Sequence, residues 1–390
     1  MSDNIHIVPD GGEQPPRKKA RRWPLILAAL LVTFALIAGF ILLSDNIAFD
    51  GLKRSLRYLG KTPGQYGHIA LDGAENAAYA AVDGTLVLSD GTALRFFAED
   101  GNLKARIGLS LSQPMLHASN KRVLCLDIGS KRACVYDESG AELFSAETDG
   151  VLLGGDLSSG GYCALLSTGQ DVHGTLEVYH PSGSLLYRYR SSTDYLNTCA
   201  ISPDGKTAVI VALGQKDVHF SSTALLLRTD SGDAPIELSL GEQVIYALTY
   251  LDAQTLCAIG EKSVILFTMQ GEVLGEYTAP EGAALRGWCA AGDGVLLALD
   301  SFDTADRYRT VLLDRSANTV ASASLDGAPL SLSAAGNYLA VLTGTSLTIY
   351  DASLALRSAC ETGGKYAFAA VRRDGTVLAA GSSEADLIFP

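Results

Sequence analysis

From residue 66 onward the chain consists of short β runs separated by turns, and the turns recur at intervals near 35 to 45 residues. A period in that range marks a repeat architecture, so 390 residues need not be divided into two or three conventional domains. Comparable units begin near Ala77, Met115, Val151, Tyr195, Val244, Ala284, Leu330 and Lys365, after one isolated strand at Gln65 to Leu71. Each unit reads as an inner apolar strand, a turn, a second strand, a hairpin, a third strand often ending in an aromatic and an acid, and a fourth strand.

Two units show the register. The second runs Val123 to Ile128, turns at Gly129-Ser130, continues through Arg132 to Asp137, and returns over Ala141 to Ala146. The seventh runs Tyr338 to Leu342, turns at Gly344-Thr345, then follows Leu347 to Asp351 and Leu354 to Cys360. Glycine-containing two-residue turns between alternating strands signal hairpins. Four-stranded units repeated about an axis are propeller blades, an arrangement that leaves only short, protected sheet edges. The expected fold is therefore all-β, a β-propeller of about eight four-stranded blades. The eighth unit, from Lys365 to Pro390, has room for three strands, so the isolated strand at Gln65 to Leu71 is expected to supply its outer strand and close the ring.

The N-terminal region differs in kind. Residues 1–22 carry Pro, Gly and polar residues and then Arg17, Lys18, Lys19, Arg21 and Arg22; no apolar period runs through them, and they read as a disordered basic tail. Leu25 to Leu43 follow without a charge, long enough at about 1.5 Å per residue to cross a hydrocarbon layer of roughly 30 Å, with Trp23 at the interface. Residues 23–43 are thus expected to form one transmembrane helix. No small-residue cleavage site follows, which argues against a removed signal peptide. Residues 44–64, with Ile47, Leu52, Leu56 and Leu59 near helical spacing, are expected to form a juxtamembrane stalk, and residues 65–390 the propeller. The basic cluster ahead of the span assigns the N-terminus to the cytoplasm and the propeller to the outside of the cell membrane.

Charge excludes some partners. Residues 1–65 hold nine Lys/Arg and five Asp/Glu, leaving 21 basic against 38 acidic residues in 66–390, a net near −17. Such a body is repelled by phosphate backbones and anionic headgroups, which argues against nucleic acid and against broad bilayer contact.

Ser202-Pro203-Asp204-Gly205, with Asp293-Gly294 and Asp374-Gly375 as looser counterparts, resembles the turn between first and second strands in TolB-like and WD-type propellers. The whole layout of short basic tail, one apolar span and blades resembles bacterial single-pass membrane-anchored propeller families of unknown function. The chain departs from WD40 repeats in lacking paired Gly-His and Trp-Asp. It departs from quinone-dehydrogenase propellers in having only Trp288 within the ring, which disfavours that cofactor; no cofactor is expected.

No Gly-x-Ser-x-Gly elbow, His-Glu-x-x-His, Walker loop or Cys-x-x-Cys is present. The best candidate site is a set of three long middle hairpins, because connecting loops usually carry a propeller's binding function. They contribute Asp171 and His173, then Asp217 and His219, then Asp303, Asp306 and Arg307. Paired His and carboxylate can hold a divalent metal, but partner contact is the stronger reading and plain turn decoration remains open. Asp156, on an inner strand where other units have Ala200, Cys289 and Ala370, is either a channel-lining ligand group or part of a hydrated wall. If Gly129-Ser130 is the turn, Cys125 falls opposite Cys134, near enough for a disulfide in an oxidising compartment, with a reduced pair as the default. The function these readings support is a binding or scaffold module with a protein or cell-envelope partner. The alternatives are a hydrolase or lyase using channel acids and a sensor coupled to a cytoplasmic partner.

Overall fold

The computed structural model describes residues 30–37, 39, 64–71, 77–82, 84–169, 172–216, 219–302 and 306–389. Contacts divide the chain into Met1–Leu59 and Gly60–Pro390. In the first unit, residues 30 to 37 are helical, and large apolar side chains including Leu30, Phe34 and Leu36 are more than half exposed. Among the described residues no helix is long and apolar enough to cross a membrane. Most of the span expected at 23–43 lies outside them, as does the stalk expected at 44–64 except Gly64, which opens a strand instead.

The second unit is an eight-bladed propeller of four-stranded antiparallel sheets. Blades 1 to 7 take residues 78–108, 114–147, 151–191, 195–239, 245–278, 283–324 and 329–361, each in simple up-and-down order. Blade 8 combines strands Phe368–Val371, Val377–Ala380 and Glu384–Phe389 with Gly64–Ala70 as its outer strand. The closure expected from the sequence is therefore present. Ile69 is buried at this seam, and the Leu71 N–H donates to the Ser383 carbonyl at 2.8 Å.

Alternation explains where the core lies. Second and third strands are apolar on both faces, as in Cys163–Thr168 and Thr255–Gly260, because each is sandwiched between neighbouring blades. The apolar clusters accordingly form between blades: Leu166, Leu176 and Val178 of blade 3 pack on Ile201, Ala208 and Ile210 of blade 4. Fourth strands face solvent on one side and alternate, as in Leu103–Gly108.

Aspartate side chains tie many of the tight turns. Asp137 and Asp351 each end a third strand and accept the N–H groups two and four residues on, at 2.8 and 3.0 Å and at 2.9 and 3.0 Å. Ser139 and Ser353 add hydroxyl donors at 2.6 Å. These are Asx-turns, which let a carboxylate stand in for a backbone acceptor. Hydrogen bonding from Ser353 holds Asp351 down at about 2, and for Asp137 the Ser139 and Ala141 donors outweigh the upward push of burial. In the Ser202-Pro203-Asp204-Gly205 turn, Gly205 has φ of 70°, and a Cβ there would lie 2.2 Å from the Tyr162 ring. Both conditions require glycine.

Candidate functional site

In an up-and-down blade the hairpin between second and third strands opens on the same face as the link from one blade to the next. The turns between first and second and between third and fourth strands lie on the opposite face. The long middle hairpins of blades 3, 4 and 6 thus share one face with the entry points of all inner strands, the mouth of the axial channel.

That mouth is shaped by a feature that sequence reading missed. In blades 3 to 7 the inner strand shifts register within its first three residues, between Leu152 and Gly154, Leu196 and Thr198, Ile245 and Ala247, Leu285 and Gly287, and Pro329 and Ser331. No such shift occurs in the inner strands of blades 1, 2 and 8. Each shift leaves one residue out of the ladder: Leu153, Asn197, Tyr246, Arg286 and Leu330. A bulge re-aims its extra side chain. Four of the five are exposed, from 37% for Leu153 to 51% for Leu330. Asn197 instead donates to the Ile245 carbonyl of the next blade at 2.6 Å.

The hairpin tips extend this crescent. Tyr195, 62% exposed, stacks on His173 with ring centroids 4.3 Å apart and planes at 4°, and His173 Nδ1 lies 3.2 Å from the Thr193 carbonyl. In blade 4 the long middle hairpin is a regular ladder, pairing Gly214 with Ser221, Gln215 with Phe220 and Lys216 with His219. The neighbouring strands pair no further than Leu213 and Thr223, so these three pairs project as a two-stranded arm roughly 10 Å long. Phe220 on this arm is exposed.

Blade 6 supplies the charge. Asp300 is buried and accepts from Arg307 Nε at 2.8 Å and from Arg286 Nη2 at 3.1 Å. The Arg307 hydrogen bond, aided by Arg286 against the effect of desolvation, holds the Asp300 carboxyl below its usual range. Both guanidiniums lie over the exposed Phe302 ring, at 5.8 and 5.0 Å, and Arg307 also faces Tyr308 at 4.9 Å. Two cations share one carboxylate beside these aromatic rings. Asp306 lies 3.6 Å from Arg309.

The expected site residues therefore divide. His173, His219, Asp306 and Arg307 lie on hairpins of this face, whereas Asp171, Asp217 and Asp303 fall outside the described residues. Among the described residues His173 is engaged by Tyr195 and by the Thr193 carbonyl. Asp156, on its inner strand, accepts the Ile201 N–H at 2.9 Å and lies 3.2 Å from His117 Nδ1, linking blades 2, 3 and 4. Cys125 does pair with Cys134 across the hairpin, and both are free, buried thiols. Burial, then the neighbouring Cys134, pushes Cys125 up to about 12, which leaves little reactive thiolate.

One further cluster has the composition of a metal site: His68, Glu384 and Asp386 at the closing seam, with ligand atoms within 4.8 Å of one another. Its members are 318 residues apart in the chain, so only the pairing of Gly64–Ala70 with Glu384–Phe389 could have disclosed it.

Solved propellers resemble this ring at low identity. The C-terminal WD40 domain of Sif2 matches at 12% identity and TM-score 0.59, covering 84% of this chain and 96% of that one. The Dos1 propeller matches at 10% identity and TM-score 0.60, covering 83% and 94%. BamB from Moraxella catarrhalis matches at 15% identity and TM-score 0.54, covering 84% and 100%. These likenesses establish fold alone. No curated protein matches the sequence. Residues 68–366 match the profile of a family of unknown function, DUF5711, and the chain belongs to that family.

Proposed function

We propose that the ring is a binding or scaffold module that presents the crescent of blades 3 to 7 to a protein partner outside the cell membrane. The observation that carries this reading is the run of five inner-strand bulges, which turns Leu153, Tyr246, Arg286 and Leu330 outward at one mouth. Exposed apolar groups gathered on one surface mark interaction sites, whereas singly scattered ones need no explanation. Aromatic and arginine anchors are the residue types that dominate binding energy. With Arg286 and Arg307 beside Phe302, the surface suits an apolar segment bearing a carboxylate.

The location is part of the proposal. The charge-free run from Leu25 to Leu43 behind five basic residues supports an anchor with the N-terminus in the cytoplasm. The exposed apolar side chains of residues 30 to 37 are those expected of a helix whose solvent is lipid.

A membrane-impermeant crosslinker applied to intact cells tests face and location together. The ring should be captured with a protein partner. A variant carrying Tyr246→Ser, Phe302→Ser and Leu330→Ser should lose about thirtyfold or more of that capture at unchanged thermal midpoint. Failure of the crosslinker to reach the ring would reverse the orientation, and full capture by the triple variant would remove the crescent as the binding surface.

A further inference from the structure

We propose that His68, Glu384 and Asp386 form a binding site for one divalent transition-metal ion, such as Zn²⁺, that ties the first strand of the ring to the last. The arrangement follows from strand alternation. Glu384 and Asp386 are two residues apart on one strand and share a face. Gly64–Ala70 lies antiparallel beside them, with His68 opposite Asp386 and Ala70 opposite Glu384. The small side chain of Ala70 leaves Glu384 room to lean toward His68.

The ligand chemistry fits. One imidazole with two carboxylates is a set that binds zinc and related ions, with water completing the shell. His68 Nδ1 stands 2.9 Å from Asp386 Oδ1 and 3.9 Å from Glu384 Oε2. Ligand atoms around a four-coordinate ion with bonds of about 2.0 to 2.2 Å lie roughly 3.3 to 3.6 Å apart, so small side-chain movements would complete the geometry. Two of the three can move, since His68 is exposed and Glu384 partly so.

The third ligand is already oriented. Asp386 is buried, and its Oδ2 accepts the Tyr366 hydroxyl at 2.6 Å, which leaves Oδ1 turned to His68. A hydrogen-bond donor fixing a ligating carboxylate is the usual outer-shell device of metal sites. A structural seam needs only the His68–Asp386 bond, and adding Glu384 on the same face places two like charges together. Lys365, 3.1 Å from Glu384, offsets that repulsion, and its exposed side chain can withdraw when a cation arrives.

Because these ligands converge only when the ring is closed, an ion bound there stabilises the closed ring over the unfolded chain. Chelator-stripped full-length protein, dialysed against ZnCl₂, should retain one equivalent of Zn²⁺ and show a raised thermal midpoint. His68→Ala and Glu384→Gln should each abolish both effects, and Tyr366→Phe should weaken binding about tenfold or more. Lys365→Ala, which removes only the competing cation, should tighten it. The proposal is overturned if the wild-type protein retains no Zn²⁺. It is equally overturned if folded His68→Ala binds as the wild type does, or if Lys365→Ala weakens binding.

Discussion

The two faces of the ring are built by opposite rules. On the face of tight turns, aspartates recur at equivalent positions in different blades, and each closes a turn on its own backbone, as Asp137 and Asp351 do. Asp204, Asp252 and Asp374 do the same at turns between first and second strands. These carboxylates serve the structure of the ring, and Asp252 also meets Arg315 of the next blade at 2.8 Å. The opposite face carries bulges, a projecting arm and aromatic side chains whose contacts leave them half open to solvent. Repetition marks the first face and departure from repetition marks the second. In a repeat protein the irregular positions are those that the scaffold does not need, so they are free to serve binding. The exposed aliphatics of the outer strands, such as Leu103, Val273 and Leu356, obey the first rule: they recur blade by blade and are spread around the rim.

The largest effect should come from the seam on which both faces depend. Removing residues 1–63 should leave a cooperatively folding ring. Removing residues 1–72 takes away Ile69 and Leu71 and uncovers the edge of Glu384–Phe389, a loss of about 5 kcal/mol or more that approaches the whole stability of a domain. Denaturant unfolding followed by tryptophan fluorescence distinguishes the two. Equal midpoints would mean that each face stands on its own blades and not on closure.

A smaller effect separates the faces directly. Asp137→Ala or Asp351→Ala should each cost about 1 kcal/mol, a fall of no more than about 3 °C in Tm, while partner capture stays intact. This is the reverse of the outcome expected for the Tyr246, Phe302 and Leu330 substitutions. If an aspartate variant loses capture at unchanged Tm, the division of labour between the faces is wrong.

The smallest effect is in acid. A carboxyl whose folded pKa lies below its unfolded value of about 3.9 contributes stability that is present above that value and lost as pH falls through the folded one. Asp351, held at about 2 chiefly by Ser353, should therefore make a slight contribution that disappears between about pH 4 and pH 2. Asp351→Asn keeps the accepting oxygen and removes the charge, so the midpoint of this variant should fall less steeply with acid over that window. An identical slope would show that the turn is held by geometry alone.

What the sequence disclosed depended on how local the cause was. The turn at Gly129-Ser130 sets its own register, so the pairing of Cys125 with Cys134 could be counted from it. The ladder in the blade-4 arm was not legible, because a two-stranded ribbon with water on both sides has no apolar alternation to betray it. Asp156 stood out as an acid on an inner strand, but its partners His117 and Ile201 belong to adjoining blades. The bulges left no visible mark, since one extra residue in an apolar strand looks like any other residue. Of the candidate site, the hairpins of the right face were legible from their length, while the side chains that furnish its apolar crescent were not.

The seam also sets an order of events during synthesis. His68 and Asp386 are 318 residues apart, a separation that takes a ribosome roughly 20 to 60 s to cover. Blades 1 to 7 each contain consecutive strands and can form as they emerge. Strand Gly64–Ala70 cannot: throughout that interval its edge waits without the partner it will finally have. A nascent chain that stalls before Glu384 therefore carries an unmatched strand at its beginning, a mark of incompleteness that a chaperone or protease can read. Arrival of Glu384–Phe389 and disappearance of that mark are a single event.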